Sequence, residues 1–559
     1  MSKTLLSCLS CLALIVVISA CGGGGGGGAS SPSPAPNTPS DDGGDGGDSG
    51  NDDEEPAGPL AHCEGNGEAG NFFKNVTTDL GLCYDASVAD TNPTEAEKTA
   101  GGLALADIDN DGQPELYVAH GHSTLGKLFS FDGETFVERE NSGIELLGMD
   151  LAGYFIDIDV DGFKDFISAQ YEGVEVFHND GTGSFTWTDV TEINNRTATW
   201  SMAAADYDRD GDVDLFFTHW GTGNTDGEAQ YLWNNNGAGV FTDASFRVPI
   251  KVTVAADNLE SEYSFTPTFA DFNSDGFPDL LVAGDWESSQ VLQNTVGGDA
   301  FFDLSTEVLS DENGMGSAVA DYDRDGDLDW FVSSIWDTGA ASNGSGNRLY
   351  RNMDGQGTFE DVTDEAGVRE GDWGWGSCFA DFDNDGHVDL FHTNGFQETR
   401  PQFLDDPSRL FMSNGDGTFT ERAAELGITH TGQGRGIVCT DYNDDGKVDI
   451  FIANNGNSPT VFMNDHQNDN HYIAIDLVGI GANPEAIGAR VTVTTASGSQ
   501  VDEVRLGTAY LSHGPATLHF GLGEDDSISA IDVSWPGPEN PMSRVEVIEV
   551  DQHLTLTHP

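Results

Sequence analysis

The chain has 559 residues, and its 96 Asp and Glu against 22 Lys and Arg give a formal net charge of -74. So acidic a surface excludes partners that are bound by Lys and Arg displacing counterions, nucleic acid and anionic membrane surfaces above all, and it favours cations. Phe, Trp and Tyr make up 10% of the residues, too many for a disordered acidic chain and enough for a sizeable core.

In chain order, residues 1–20 read as a targeting segment. Lys3 precedes an apolar run over 12–18 that is too short to span a bilayer, and Ile18-Ser19-Ala20-Cys21 has the form of a bacterial lipobox. Cys21 is then the lipidated first residue of the mature chain, and Gly22 after it fits sorting to the outer membrane; a plain secretory leader, giving a secreted protein, is the other reading. Residues 21–62 are low-complexity Gly, Ser, Pro and Asp, a self-repelling stalk with nothing to bury. Of the seven cysteines, Cys8 and Cys11 leave with the leader. Cys63 with Cys83, and Cys378 with Cys439, are candidate disulfides in an oxidising compartment or else buried thiols.

From residue 107 the motif D-x-[DN]-x-D-G-x-x-[DE] returns seven times, beginning at Asp107, Asp157, Asp206, Asp271, Asp321, Asp381 and Asp441, at intervals of 50, 49, 65, 50, 60 and 60 residues. Oxygens at positions one, three and five can meet at one point if the chain turns sharply, and Gly at position six permits the turn. Position seven adds a backbone carbonyl and position nine a closing carboxylate. The expected ligand sets are Asp107, Asp109, Asp111, Gln113 and Glu115; Asp157, Asp159, Asp161, Phe163 and Asp165; Asp206, Asp208, Asp210, Asp212 and Asp214; and Asp271, Asn273, Asp275, Phe277 and Asp279. The other three are Asp321, Asp323, Asp325, Asp327 and Asp329; Asp381, Asp383, Asp385, His387 and Asp389; and Asp441, Asn443, Asp445, Lys447 and Asp449. No Cys or His side chain stands within the ligand pattern, which disfavours Zn²⁺ and Cu²⁺, while several oxygens at each point suit Ca²⁺, up to seven ions in all. The ligand positions hold 26 side-chain acids, so empty loops repel themselves and seven divalent ions return +14 of charge.

Each loop lies inside a repeated strand pattern. Around the fifth copy, segments 316–320, 328–332, 348–352 and 359–363 read as four short strands, the signature of a propeller blade. Fourth-strand segments recur near Phe136, Phe185, Phe241, Phe301, Phe359 and Phe419. A seventh, 71–77, precedes the first loop and is expected to complete blade seven, whose own third strand ends near Asn464, and so to close the ring without a free edge. The fold class expected is all-β: a seven-bladed propeller over 63–466 followed by a small β-sandwich-like domain over 467–559, whose segments 471–477, 490–495 and 531–535 read as strands.

Residues 71 to about 465 resemble the FG-GAP/VCBS repeats that form seven-bladed calcium-binding propellers, similar to the integrin α head. The remainder resembles the ASPIC/UnbV domain, through Ala486-Ile487-Gly488-Ala489-Arg490-Val491, Gly507-Thr508-Ala509-Tyr510-Leu511-Ser512, Leu518-His519-Phe520-Gly521 and Val533-Ser534-Trp535-Pro536-Gly537.

In a propeller the metal loops open on one face. The loops between second and third strands open on the other, and carry Tyr171, Trp220, Trp286, Trp336 and Phe396; Trp200, Trp373 and Trp375 precede first strands on that side. Such rings either form an aromatic mouth suited to a sugar or peptide or pack between blades. His120, His122, His219 and His392 fall on the same face as a candidate catalytic or second metal group. The expected function is a calcium-binding cell-envelope lipoprotein, monomeric, binding a protein or glycan ligand as an adhesion module. The alternative is a polysaccharide lyase or hydrolase built on the propeller.

Overall fold

The computed structural model describes residues 72–84, 94–121, 126–188, 193, 198–223, 231–254, 260–337, 344–396 and 400–559. The leader, Cys21, the stalk, Cys63 and His122 lie outside the described residues. All of the described residues fall within one compact unit.

The fold is an all-β seven-bladed propeller carrying a second β domain. Blade one comprises strands Leu103–Ala106, Glu115–Val118, Lys127–Phe131 and Phe136–Glu138, hydrogen-bonded in that order. The first two are buried throughout and the fourth exposes two of its three residues, because a blade runs from the crowded axis to the solvent rim. First strands of successive blades touch in sequence, and that of blade seven, Gly434–Thr440, touches that of blade one. Closure follows the expected route: Phe73–Asn75 pairs antiparallel with Thr460–Asn464, Phe73 opposite Asn464 and Asn75 opposite Phe462. Phe73 is 1% exposed and meets Phe382 edge-on at 5.5 Å, so an apolar anchor fixes the register of that last strand.

The long interval between the third and fourth loops forms an added ribbon. Strands Asp214–Gly223 and Glu260–Ala270 run past their own blades and pair, Trp220 opposite Tyr263 and Gly223 opposite Ser261, joining blades three and four into one nine-stranded sheet. Cys378 and Cys439 form a disulfide between the first strands of blades six and seven. Cys83 is disulfide-bonded as well.

Beyond Asn464 two sheets face each other. One holds Leu518–Gly523, His471–Val478 and Gln552–Thr557; the other holds Ser499–Glu503, Arg490–Thr494, Ile528–Ser534 and Met542–Ile548. Ile473, Ile475, Val491, Val493, Phe520, Ile531 and Val533 fill the space between them. This domain lies on the metal-loop face, where Arg209 donates to the Gly537 carbonyl at 2.7 Å, Arg490 to that of Gly326 at 2.7 Å, and the Asn384 carbonyl accepts the Gly523 N–H at 2.8 Å. Lys164 pairs with Glu485, one of the two residues standing between Asn483 and Ala486.

From this domain residues 506–513 enter the axial channel. Leu105 N–H donates to the His513 carbonyl at 3.0 Å, His513 N–H to that of Leu103 at 2.9 Å, and Ala204 N–H to that of Leu506 at 3.2 Å, so the inserted segment bonds to the innermost strands of blades one and three. Only small residues leave room for it. A Cβ on Gly102 would stand 2.1 Å from the Leu511 carbonyl, and one on Gly436 2.1 Å from Ser512 Oγ.

Candidate metal centres

The seven loops share one backbone conformation. Position four is left-handed in every copy, at Asn110, Val160, Arg209, Ser274, Arg324, Asn384 and Asp444, and so is the Gly at position six. A Cβ on Gly112, Gly162, Gly211 or Gly326 would touch nothing within 4 Å, so the backbone angle alone, not crowding, calls for glycine there. Val160 takes the left-handed conformation with a β-branched side chain, a position of real strain.

Hydrogen bonds then aim the carboxylates. Position-one Oδ2 accepts the position-six Gly N–H in all seven loops, at 2.7–3.1 Å. Position-five Oδ1 accepts the position-seven N–H at 2.8–3.1 Å. Position nine, the first residue of each second strand, spans two elements: Asp329 accepts Asn352 N–H at 2.7 Å and Tyr322 N–H at 3.4 Å. Asp165, Asp214 and Asp389 do the same in their blades.

What these bonds leave over decides the chemistry. Asp109, Asp159, Asp208, Asp323 and Asp383 each keep a buried Oδ1 with no hydrogen-bond partner; Asp206 and Asp321 do so at position one, and Asp279 and Asp449 keep Oδ2 at position nine. Every one of the seven loops contributes at least one such oxygen. Unsatisfied buried carboxylate oxygens are expensive unless a cation lies among them. Burial, then the charges of Asp210 and Asp208, pushes the Asp206 carboxyl up to about 7. Burial likewise lifts Asp271 and Asp321 to about 7, and holds Asp214, Asp329, Asp389 and Asp449 well above the carboxylate range. The residues fit a divalent cation: clusters such as Asp206, Asp208 and Asp210, or Asp321, Asp323 and Asp325, bring one oxygen each within 4.8 Å of one another.

One set of residues is absent from the motif. At the end of a blade's third strand stands Asn179, Asn294, Asn352 or Asn464, or in blade three Asn235 just beyond the strand Leu232–Asn234, and each reaches back to the loop of the preceding blade. Asn294 Nδ2 donates to the Tyr207 carbonyl of loop three at 2.8 Å and to the Pro278 carbonyl of loop four at 3.0 Å, so one amide spans neighbouring ion sites. The signal in the sequence is an Asn 14 to 23 residues after position nine, legible only once the blades are stacked.

On the opposite face the aromatic residues divide. Trp200, Trp375 and Phe396 are buried, Trp220, Trp336 and Trp373 are half-buried, and Tyr171 and Trp286 are exposed. The buried rings close on Tyr510 of the inserted segment, whose hydroxyl accepts from Trp200 Nε1 at 3.1 Å and donates to the Thr99 carbonyl at 2.9 Å. Arg435, 0% exposed, lies over Trp375 at 4.3 Å. Trp286 and Glu287 are both left-handed, held by Asp285, which accepts Trp286 N–H at 2.9 Å and Trp220 Nε1 at 3.2 Å. His120, His219 and His392 do not form an open group: all three are buried in separate blades. The His392 ring stacks on Phe331 and Phe411, and burial lowers its pKa to about 3.

The FG-GAP-like repeat family matches residues 157–217, 271–332 and 336–392, and the ASPIC and UnbV family matches 479–559. The chain carries FG-GAP repeats and an ASPIC/UnbV domain. Cartilage acidic protein 1 of Homo sapiens is 26% identical over 546 residues, covering 89% of this chain and 77% of the relative; that of Xenopus tropicalis is 25% identical over 521 residues, covering 84% and 75%. Among solved structures, an Agrocybe aegerita lectin described as recognising non-reducing terminal N-acetylglucosamine is 17% identical, covers 64% of this chain and 86% of its own, and has a TM-score of 0.39. AofleA from Arthrobotrys oligospora is 9% identical with a TM-score of 0.34, covering 60% of this chain and 94% of its own. The FG-GAP propeller with its ASPIC/UnbV domain points to a ligand-binding or adhesion module.

Replacing Asn294 with Leu removes a donor shared by loops three and four. We expect divalent-ion affinity at those two sites to fall about tenfold while the other five are unchanged, read by calorimetric titration.

Proposed function

We propose that the chain is a calcium-stabilised ligand-binding module of the cell envelope, tethered through lipidated Cys21 on the stalk of residues 21–62, after removal of residues 1–20, and acting as a monomer. The propeller of 63–466 and the domain of 467–559 work as one body. The observation that carries the calcium part is the buried, unpartnered carboxylate oxygen in every loop, in an all-oxygen setting that suits a hard cation with many ligands. Extracellular modules bind such ions at roughly 10⁻⁴–10⁻³ M, a level found outside cells. Among the described residues no helix is long and apolar enough to cross a membrane.

The ligand is a protein or a glycan, met on the face opposite the metal loops. Exposed Tyr171 and Trp286, with half-buried Trp220, Trp336 and Trp373 behind them, offer ring faces for sugar C–H groups or apolar side chains.

Two experiments test this reading. In chelator, the raised carboxyls of Asp206, Asp271 and Asp321 favour the fold while protonated, so stability is full below about 3.8, their unfolded value, and is lost as pH rises through about 7. The melting temperature in chelator is therefore expected to fall from pH 5 to pH 8, and millimolar Ca²⁺ to abolish the fall; identical melts with and without calcium at pH 8 contradict it. On a glycan and protein array, Trp286→Ala is expected to weaken the strongest hit at least about tenfold without changing the melt, since an aromatic anchor contributes a few kcal/mol to binding. Undiminished binding by the variant moves the ligand to another surface.

A further inference from the structure

Loop two differs from its sisters in one neighbour. In the third strand of each blade one position pairs with the residue that follows the Phe leading the fourth strand: Ser130, His178, Asn234, Gln293, Arg351, Met412 and Met463 occupy this place. Blade two alone of the seven puts an imidazole there. His178 Nδ1 stands 3.2 Å from Asp159 Oδ2 and 3.1 Å from Asp165 Oδ1, and Nε2 stands 3.7 Å from Asp161 Oδ2. Asp159, Asp165 and His178 thus offer two oxygens and a nitrogen within 4.8 Å of one another, and Asp159 Oδ1 is one of the buried oxygens without a partner.

We propose that loop two is a mixed nitrogen–oxygen site selective for a first-row divalent metal, Zn²⁺ being the probe, while its sisters take a hard cation through oxygen alone. The inference rests on the reading of the loops as cation sites and adds a different occupant at one of them. Imidazole suits Zn²⁺ and its first-row neighbours, whereas Ca²⁺ takes oxygen. Ligand atoms bound to Zn²⁺ at ~2.0–2.2 Å lie roughly 3.0–3.5 Å apart, which the Nδ1 separations match. Asp165 is already fixed by the N–H groups of Asn179 at 2.9 Å and Ile158 at 3.3 Å, the outer support that orients a metal-binding carboxylate. Arginines approach the position-three carboxylate in blades one, three and five, Arg139 to Asp109 at 2.9 Å, Arg247 to Asp208 at 3.7 Å and Arg351 to Asp323 at 3.9 Å. A guanidinium can only donate; a neutral imidazole keeps a lone pair for a metal.

The full-length chain, stripped with chelator and dialysed against millimolar Ca²⁺ with one equivalent of Zn²⁺, is analysed for both elements. One Zn²⁺ retained by the wild type is expected, with retention at least about tenfold weaker in His178→Asn, the residue blade three already carries at this place. Mn²⁺ in place of Zn²⁺ is expected to show a single imidazole ¹⁴N coupling by electron spin echo in the wild type and none in the variant. Asp323→Ala in loop five is expected to lose calcium but keep zinc. Zinc lost to calcium in the wild type means that His178 serves only as an ion-pair partner, and overturns the proposal, as does equal retention by His178→Asn. Absence of calcium at every other loop, with zinc still held, refutes the calcium reading of the sister loops and leaves the zinc assignment of loop two standing.

Discussion

Burying like charges is the constraint on which this structure turns. Each blade places the first residue of its second strand, a carboxylate, in the interior next to two or three others, and the position-nine groups from Asp214 to Asp449 are held far above their ordinary pKa by that burial. Hydrogen bonds from loop and strand N–H groups satisfy part of each carboxylate, and the remainder points inward with nothing to meet it. A protein whose net charge is -74 has few basic side chains for this purpose: Arg139, Arg247 and Arg351 reach the third position of their loops, Arg139 also stands 3.8 Å from Glu115 at position nine, and Lys447 stands 3.3 Å from Asp445. A bound cation would resolve the imbalance at the root of every blade.

The loops are also joints. Amides such as Asn294 and Asn352 bond to the loop of the blade before, so neighbouring candidate ion sites share a donor around most of the ring. Above this ring the second domain touches loop residues of several blades, and its segment 506–513 passes down the axis to bring Tyr510 beneath the aromatic face. Metal loops, inserted segment and aromatic cluster form one packed column. The candidate ion sites on one face and the ring packing on the other are connected through it, although only the outermost rings, Tyr171 and Trp286, are exposed.

Local periodicity made much of this legible. The nine-residue loops, the four strands around each and the pairing of Phe73–Asn75 with Thr460–Asn464 all follow from repeat spacing and apolar pattern, because a blade is a unit of sequence as well as of structure. Features that join units were hidden. The Asn clamps act between blades, the loop interval of 65 residues concealed the ribbon of Asp214–Gly223 with Glu260–Ala270, and nothing near Tyr510 marks it for insertion into a channel some 400 residues earlier in the chain. His178 lies outside the loop motif and meets it only across the sheet, so a ligand search confined to the nine positions passes over it. The aromatic positions showed the converse problem: large residues at strand ends read the same whether they face solvent, as Trp286 does, or fill the axis, as Trp375 does.

Counting ions tests the central claim most directly. Supplied with calcium alone after chelation, the purified chain is predicted to take up seven Ca²⁺ by equilibrium dialysis and elemental analysis, with one fewer in Asp323→Ala. Uptake of none, with the same strand content by circular dichroism in chelator, would show that the buried carboxylates are stable without compensating charge and would contradict the account.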